Sequence, residues 1–207
     1  MKNIKIEEGV VVGTSGDKLT NTNPIARYLM RNFDHKLLEL IRQQAASSIL
    51  EIGCGEGHVT EILLQHTQAK ILATDISHSL IKSARARMQD PRIEFRAVKL
   101  EETDIDFQPD LLVCCEVLEH LEDPHAGLQR LAAFQAGRYI LSVPREPIFR
   151  GMNMARGAYF KDFGNSPGHL HHWSKSAFIR LLSSYFDVIE SRSPLPWTMV
   201  LCREKLS

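Results

Sequence analysis

Three glycines at alternate positions mark the part of this sequence that is best suited to hold a ligand. Gly53, Gly55 and Gly57 lie where a predicted buried strand, 47–54, gives way to a predicted helix, 58–67. Glycine lets the backbone turn sharply and approach a ligand closely. The N-terminus of the following helix adds unpaired N–H groups that suit a carboxylate or phosphate. A plain strand–turn–helix connection needs only one glycine, so three of them indicate a binding loop.

Two acidic residues accompany this loop. Glu51 precedes Gly53 by two positions, and Asp75 ends the next predicted strand, 69–76. A carboxylate at the end of that strand can accept hydrogen bonds from both ribose hydroxyls of an adenosine. The dinucleotide fingerprint is GxGxxG, whereas the spacing here is GxGxG and His58 occupies the third fingerprint position. Asp75 alone fits NAD or another adenosine cofactor, and Glu51 together with the loop spacing separates the two.

A second group of candidate residues could act as bases or metal ligands. They are Glu116, Glu119 and His120, directly after a predicted strand at 111–115, and His169, His171 and His172 farther along the chain. In α/β proteins, strand ends that face the cofactor cleft are where chemistry is placed. Three interpretations of these residues remain open.

In the first interpretation, residues 116–121 form a short helical turn and His120 packs locally. In the second, His120 or His169 is a general base for a substrate hydroxyl, since imidazole titrates near neutral pH. In the third, Glu116, Glu119 and His120 share one helix face and bind a divalent metal, with His169 or His171 as a fourth ligand. Such a donor set suits Mg, Mn or Zn-type ions, and a metal would lower the pKa of a hydroxyl and orient it.

Composition and charge restrict the classes of function. The chain has 207 residues, with 25 basic and 25 acidic side chains and a formal net charge of zero. Zero net charge argues against broad nucleic-acid binding, which depends on clustered Lys and Arg. The longest strictly apolar run, 111–115, is far shorter than the roughly 20 residues of a membrane span, and residues 1–8 do not resemble a signal peptide.

The four cysteines form neither CxxC pairs nor a disulfide framework. We therefore expect a reduced, cytoplasmic protein. No basic residue lies beside Cys54, Cys114 or Cys115 in the sequence, so we expect these side chains to pack rather than react.

The elements that must position these residues alternate between strands and helices. Strands are predicted at 47–54, 69–76, 93–100, 111–115 and 137–143, and helices at 24–44, 58–67, 78–88 and 124–134. This alternation predicts a parallel sheet with helices on both faces. At the end of the chain, a predicted helix from Ser174 to Phe186 precedes strands at 187–193 and 197–204. The gap between those strands is too short for a crossover, so they must be antiparallel.

The predicted fold class is therefore α/β, a Rossmann-like three-layer sandwich with a mostly parallel seven-stranded sheet and an antiparallel C-terminal strand. We expect one domain over 1–207. Within it, the segment and helix at 1–44 would cover the cleft, 45–144 would form the cofactor-binding core, 145–173 a lid-like insertion, and 174–207 the terminal helix and hairpin. Residues 145–173 lack clear periodicity, and an irregular segment of this length is usually a lid or a binding loop. Candidate pocket residues on the two covers are Tyr28, Met30, Arg31, Phe33, Arg150, Met152, Met154, Tyr159, Phe160 and His169.

Taken together, these motifs resemble the class I S-adenosylmethionine (SAM) dependent methyltransferases. The similarity extends from the glycine loop through Asp75, 110–121 and 142–144, and it covers about residues 45–205. It implies SAM as the cofactor and the following sites: Gly53, Cys54, Gly55 and Gly57 around the methionine part, Glu51 and Cys115 near its amino group, Asp75 on the ribose hydroxyls, and Ile76 on adenine. Glu101 stands near the place where the family often has an aspartate beside the adenine amino group, and we expect it to substitute.

The residues from Glu116 to His120, with a later histidine, also resemble the ExxEH…H pattern of small-RNA terminal 2′-O-methyltransferases and, more loosely, of ubiquinone-pathway O-methyltransferases. The resemblance implies methyl transfer to a small-molecule or medium-sized acceptor, with O-methylation favoured. Because the sulfonium already activates the methyl group, correct orientation would supply much of the acceleration. The alternatives are a SAM-binding sensor or scaffold without turnover, a metal-dependent 2′-O-methyltransferase acting on an RNA terminus, and an NAD enzyme.

Overall fold

The computed structural model describes residues 5–7, 10–12, 23–155, 159, 162–166 and 168–205. The strands are β1 (Lys5–Glu7), β2 (Val10–Val12), β3 (Ser48–Ile52), β4 (Lys70–Asp75), β5 (Ile93–Ala97), β6 (Leu111–Cys115), β7 (Arg138–Pro144), β8 (Phe186–Arg192) and β9 (Trp197–Glu204). The helices are α1 (Pro24–Arg42), α2 (His58–His66), α3 (His78–Arg87), α4 (Pro124–Ala133), α5 (Ile148–Ala155) and α6 (Lys175–Ser183), with a 3-10 turn at Leu118–His120.

Seven of the strands form one sheet in the order β5-β4-β3-β6-β7-β9-β8. Neighbouring strands from β5 to β7 are parallel, and β9 runs antiparallel to both β7 and β8. Only four residues, 193–196, connect β8 to β9, which is why this pair can be only antiparallel. The predicted fold class is confirmed. Outside this sheet, β1 and β2 pair antiparallel with each other.

Helices cover both faces of the sheet and produce three layers. One apolar cluster joins the sheet to α1, α2 and α3, and a second joins its other face to α4 and α6. Strand β6 is buried on both faces: Leu111 and Val113 belong to the first cluster, and Leu112 and Cys114 to the second. This double burial accounts for its continuous apolar sequence.

The predicted starts of two helices are confirmed in detail. Ser77 caps α3, and its hydroxyl accepts a hydrogen bond from the backbone N–H of Leu80. Asp123 caps α4, its carboxylate accepts from two N–H groups of the first turn, and Pro124 occupies the first helical position. Each cap satisfies helix N–H groups that have no partner within the helix.

The expectation that 145–173 lacks regular structure is wrong for 148–155, which form α5. Eight residues with Gly151 among them are too few for a clear helical period in the sequence. The helix begins after Pro147, and the N–H of Arg150 donates to Oε2 of Glu146 at 3.2 Å. The side-chain amide of Asn153 donates to the carbonyl of Gly164 and holds the following loop against the helix. Among the described residues, no helix combines the length and apolar character needed to cross a membrane.

Candidate functional site

The glycine turn lies at the carboxyl end of β3, next to the carboxyl end of β4. Gly53, Gly55 and Gly57 have φ values of 75°, 55° and 85°, a region that glycine adopts without steric cost. A Cβ atom on Gly53 would lie 2.2 Å from Cγ2 of Val117, so a larger residue would collide with that side chain. A Cβ atom on Gly55 would have no heavy atom within 4 Å. The turn is therefore packed at its start and open at its middle, where a ligand can approach the backbone.

Asp75, at the end of β4, is hydrogen-bonded to the glycine turn. Its Oδ2 accepts from the N–H of Gly55 at 2.8 Å, and its Oδ1 accepts from the N–H of Ser77 at 2.9 Å. A carboxylate has about four lone-pair sites, so it can accept from ligand hydroxyls as well. Ile76 follows it and is half-buried, whereas Glu101 is exposed in the turn after β5. Asp75 is thus bonded to the glycine turn. The cofactor-binding roles of Asp75, Ile76 and Glu101 stay predictions.

Glu51 is a buried carboxyl group beneath the turn, only 2 % exposed. The hydroxyl of Thr60 donates to its Oε2 at 2.6 Å. The pKa of Glu51 is raised to about 7, mainly by burial and to a smaller extent by the charge of Asp75, while the hydrogen bond from Thr60 offsets part of the rise. The group therefore changes its protonation near neutral pH, at a position where a bound cation would favour the charged form.

The stability of the ligand-free protein is expected to fall as the pH rises from about 5 to about 8. Because the pKa of Glu51 is raised above its usual 4.5, its proton stabilises the folded state below about pH 4.5, and this contribution is lost as the pH rises through about 7. A difference of this size corresponds to roughly 3 kcal/mol. Chemical unfolding at the two pH values measures it in the wild type, in Glu51→Gln and in the exposed control Glu102→Gln. An equal pH dependence in the wild type and Glu51→Gln would contradict the assignment.

A cavity opens between the glycine turn, the carboxyl end of β6 and the N-terminal half of α1. Its walls are formed by Met30, Phe33, Glu51, Gly53, Cys54, Gly55, Glu56, His58, Val59, Cys115, Glu116 and Trp197. Two of the predicted pocket residues, Met30 and Phe33, are among them. Tyr28 and Arg31 are instead exposed, and Phe160 lies outside the described residues. No described residue of 145–173 lines this cavity.

Two contacts hold α1 against the glycine turn with its following helix and against the sheet. Oδ1 of Asp34 lies 2.7 Å from Nε2 of His58, the first residue of α2. The rings of Phe33 and Trp197 meet edge to face with their centroids 5.1 Å apart. In the sequence, His58 stands out only as the residue at the third fingerprint position, because no local pattern indicates its partner 24 positions away.

Glu116 follows β6 directly and turns toward the cavity. It has a φ of 60°, which is uncommon for a residue other than glycine. The hydroxyl of Ser142 donates to its Oε1 at 3.1 Å, and the indole N–H of Trp197 donates to its Oε2 at 2.6 Å. Sequence reasoning missed Trp197, although a tryptophan in a buried strand needs an acceptor for its N–H and so signals one nearby.

The histidine cluster is formed by the 3-10 turn that follows Glu116 and by His169. Donor atoms of Glu119, His120 and His169 all lie within 4.8 Å of one another. The carbonyl of Gly168 accepts a hydrogen bond from Nδ1 of His120 at 2.8 Å, because a carbonyl can only accept. This bond places the proton on Nδ1 and leaves Nε2 as the basic nitrogen. None of these three described side chains lines the cavity.

Glu116, Glu119 and His120 were predicted to share one helix face. In the structure Glu116 lies outside the cluster. The turn at Leu118–His120 is a 3-10 turn, and Glu116 precedes it with a left-handed backbone, so the helical spacing does not apply. His171 is not in the cluster either: its Nε2 bonds to the carbonyl of Leu121 at 2.9 Å. The backbone carbonyl of Glu119 accepts from Leu170 and His171, which brings His169 into the cluster.

A carboxylate and two imidazoles are a donor set that divalent metals accept. An ion about 2.1 Å from each donor allows two donors to be at most about 4.2 Å apart. The donor atoms of the cluster are up to 4.8 Å apart, so a small side-chain rotation would bring them to the distances that a shared ion requires. The bond from His120 Nδ1 to a carbonyl also resembles the outer hydrogen bond that orients a metal-binding imidazole. The three residues fit a metal ion.

The cysteines near the site are protonated thiols. Burial raises the pKa of Cys54 and of Cys114 well above the usual value, and it raises the pKa of Cys115 to about 12. The thiolate is the reactive form of cysteine, so these side chains act as small packing groups at neutral pH.

The sequence is similar to a methyltransferase family model and to named methyltransferases. Residues 50–135 match a family model described as a methyltransferase domain. A ubiquinone biosynthesis O-methyltransferase of Bordetella avium is 34 % identical over 104 residues, which are 46 % of this chain and 43 % of that protein. The enzyme of the same name from Coxiella burnetii is 29 % identical over 167 residues, 70 % of each chain. The first of these matches therefore spans less than half of the relative.

Solved structures share the fold. The N-methyltransferase NodS from Bradyrhizobium japonicum WM9, in complex with S-adenosyl-L-homocysteine, superposes with a TM-score of 0.66 at 21 % identity over 91 % of each chain. The small RNA methyltransferase HEN1 superposes with a TM-score of 0.69 at 19 % identity, covering 86 % of this chain and 25 % of that one. At these identities the likeness concerns the fold alone.

Proposed function

Because this chain belongs to the class I SAM-dependent methyltransferases, we propose that it transfers the methyl group of SAM to a hydroxyl oxygen of a small or medium-sized acceptor. The observation that carries the proposal is the cavity that runs from Gly53 and Gly55 to Glu116 and Trp197. In this proposal the cofactor occupies the end of the cavity at the glycine turn, and the acceptor occupies the end at Glu116 and Trp197. The O-methyltransferase names of the two relatives support oxygen as the receiving atom.

We propose a binding role for each residue around the turn. Gly53, Cys54, Gly55 and Gly57 enclose the methionine part of SAM, Glu51 and Cys115 face its amino group, Asp75 accepts from the ribose hydroxyls, and Ile76 and Glu101 contact adenine. The positive charge of the amino group favours an ionised Glu51, so SAM binding would release the proton that this group retains in the ligand-free protein.

Binding and turnover assays test this function. Thermal stabilisation is measured with SAM, S-adenosylhomocysteine and NAD, and S-adenosylhomocysteine formation is then followed with a panel of hydroxyl-bearing acceptors. We expect stabilisation by SAM and its product but not by NAD, and turnover with at least one acceptor. Stabilisation by NAD alone would overturn the cofactor assignment. SAM binding without turnover on any acceptor would favour a sensor or scaffold.

The histidine cluster supports a second candidate function, a metal-dependent 2′-O-methyltransferase acting on an RNA terminus. The supporting observation is the proximity of Glu119, His120 and His169. These three residues would hold the ion, which would supply Lewis-acid activation of the ribose hydroxyl. Without a metal, His120 is the candidate general base, because its bond to Gly168 leaves Nε2 as the proton-accepting nitrogen.

Mn²⁺ binding is expected to depend on this cluster. His169→Ala removes one of three donors and is expected to weaken Mn²⁺ binding by about 10- to 100-fold, as measured by calorimetry or electron paramagnetic resonance. His172→Ala is the matched control, since this exposed imidazole lies three residues away and bonds to Asn165. Equal Mn²⁺ affinity in both variants would contradict a metal at the cluster, as would full activity in the presence of a chelator.

A further inference from the structure

The side chain of Glu116 lies on the α1 side of the sheet, and this position separates it from the histidine cluster. Cys115 and Trp197 belong to the apolar cluster on the α1 side of the sheet, and Ser142 follows Ile140 of that cluster by two positions on β7. Side chains two apart on a strand share a face. The hydrogen bonds from Ser142 and Trp197 therefore place the Glu116 carboxylate on the α1 side, in the cavity wall.

The backbone and the hydrogen bonds of Glu116 both favour one fixed orientation. Its φ of 60° is a conformation that residues other than glycine retain mainly where surrounding contacts enforce it, often at binding sites. An indole N–H can only donate, so Trp197 requires an acceptor at Oε2. A carboxylate has about four lone-pair sites, so Glu116 can accept from a group in the cavity as well as from Ser142 and Trp197.

The residues around Glu116 indicate what kind of ligand can donate a hydrogen bond to its carboxylate. Met30, Phe33 and Trp197 form an apolar and aromatic wall near the carboxylate. The lining residues in the described part of the chain include the acids Glu51, Glu56 and Glu116 but no Lys or Arg. An anionic acceptor would therefore meet carboxylates of like charge and no cationic side chain of Lys or Arg, whereas an uncharged hydroxyl on an apolar body would be complementary.

We propose that Glu116 is the acceptor-binding carboxylate of this cavity, that it accepts the hydrogen bond of the hydroxyl to be methylated, and that the cavity takes uncharged acceptors in preference to anionic ones. In the transfer, a C–O bond forms, the methyl–sulfur bond breaks and its electron pair stays on sulfur, and the hydroxyl proton passes to Glu116 and then to water. Ser142 and Trp197 position the carboxylate. This inference rests on the proposed methyl transfer from SAM.

A matched pair of small probes tests the assignment without a known acceptor. Benzyl alcohol and benzoate have similar shapes and differ in charge, and their binding to the protein saturated with S-adenosylhomocysteine can be measured by NMR titration. We expect benzyl alcohol to bind at least about tenfold more tightly than benzoate in the wild type. Glu116→Gln is expected to reduce this ratio to about threefold or less while leaving S-adenosylhomocysteine affinity within about threefold. The control Glu122→Gln removes an exposed carboxylate six residues away and is expected to keep the full ratio.

The outcomes are distinct. If S-adenosylhomocysteine does not bind to the wild type, both the proposed function and this inference fail. If it binds and benzoate binds as well as benzyl alcohol, or neither probe binds, the function stands and the role of Glu116 is overturned. If Glu116→Gln keeps the wild-type ratio of benzyl alcohol affinity to benzoate affinity, the role of Glu116 is also overturned. Should that variant fail to fold, Trp197→Phe removes only the indole donor, and the same probe ratio is expected to fall in it; an unchanged ratio there would overturn the assignment.

Discussion

Asp75→Asn is expected to weaken SAM binding by about 50-fold. An asparagine side chain has one acceptor oxygen and no charge, so it cannot accept from two ribose hydroxyls as the carboxylate can. Hydrogen bonds to charged groups contribute about 1.5–3 kcal/mol each, and the loss of one such bond gives this factor. Within the protein, the amide also cannot accept from both Gly55 and Ser77, whose N–H groups now bond to different carboxylate oxygens.

Calorimetric titration with SAM and S-adenosylhomocysteine measures this effect. Both ligands carry the same ribose, so the two affinities are expected to fall together. Asp106→Asn is the matched control, because Asp106 is exposed and lies outside the candidate site. A loss for SAM of less than about threefold, in a variant that unfolds at the wild-type temperature, would show that Asp75 does not hold the ribose.

Gly53→Ala is expected to destabilise the folded protein by about 3 kcal/mol. The left-handed backbone costs an alanine about 1–2 kcal/mol relative to glycine. The new Cβ atom would also lie 2.2 Å from Cγ2 of Val117, whose β-branched side chain has few other rotamers. Overpacking of this kind typically costs a further 1–3 kcal/mol.

Urea unfolding separates these two contributions. Gly55→Ala has a similar backbone strain but no neighbour within 4 Å, so we expect a loss of only about 1 kcal/mol. Adding Val117→Ala to Gly53→Ala removes the colliding methyl group and is expected to reduce the cost of the glycine replacement to that of Gly55→Ala. If Gly53→Ala and Gly55→Ala lose equal stability, the close packing of the turn against Val117 is not what requires glycine at position 53.

The order and type of the elements in the α/β core were predictable because local patterns determine them. Burial on both faces produces the continuous apolar run of β6, and burial on one face produces the periodic patterns of the helices. Both patterns depend on residue type and not on the identity of the neighbouring side chain. The caps at Ser77 and Asp123 act within three residues of themselves. The glycine turn was predictable for the same reason, since a positive φ is a property of one residue. The short helix α5 escaped prediction because eight residues with a central glycine show too little periodicity.

The sequence by itself therefore determined the mostly parallel seven-stranded sheet, the place of the cofactor turn and the residue types gathered around it. Only the tertiary structure decided which of these side chains meet. Glu116 and Glu119 are three residues apart, yet Glu116 accepts a hydrogen bond from Trp197 in the cavity wall, whereas Glu119 joins His120 and His169. The contacts of Glu116 with Trp197 and of Asp34 with His58 join residues 81 and 24 positions apart. Such pairings depend on strand order and backbone direction, which a linear pattern of residue types does not contain.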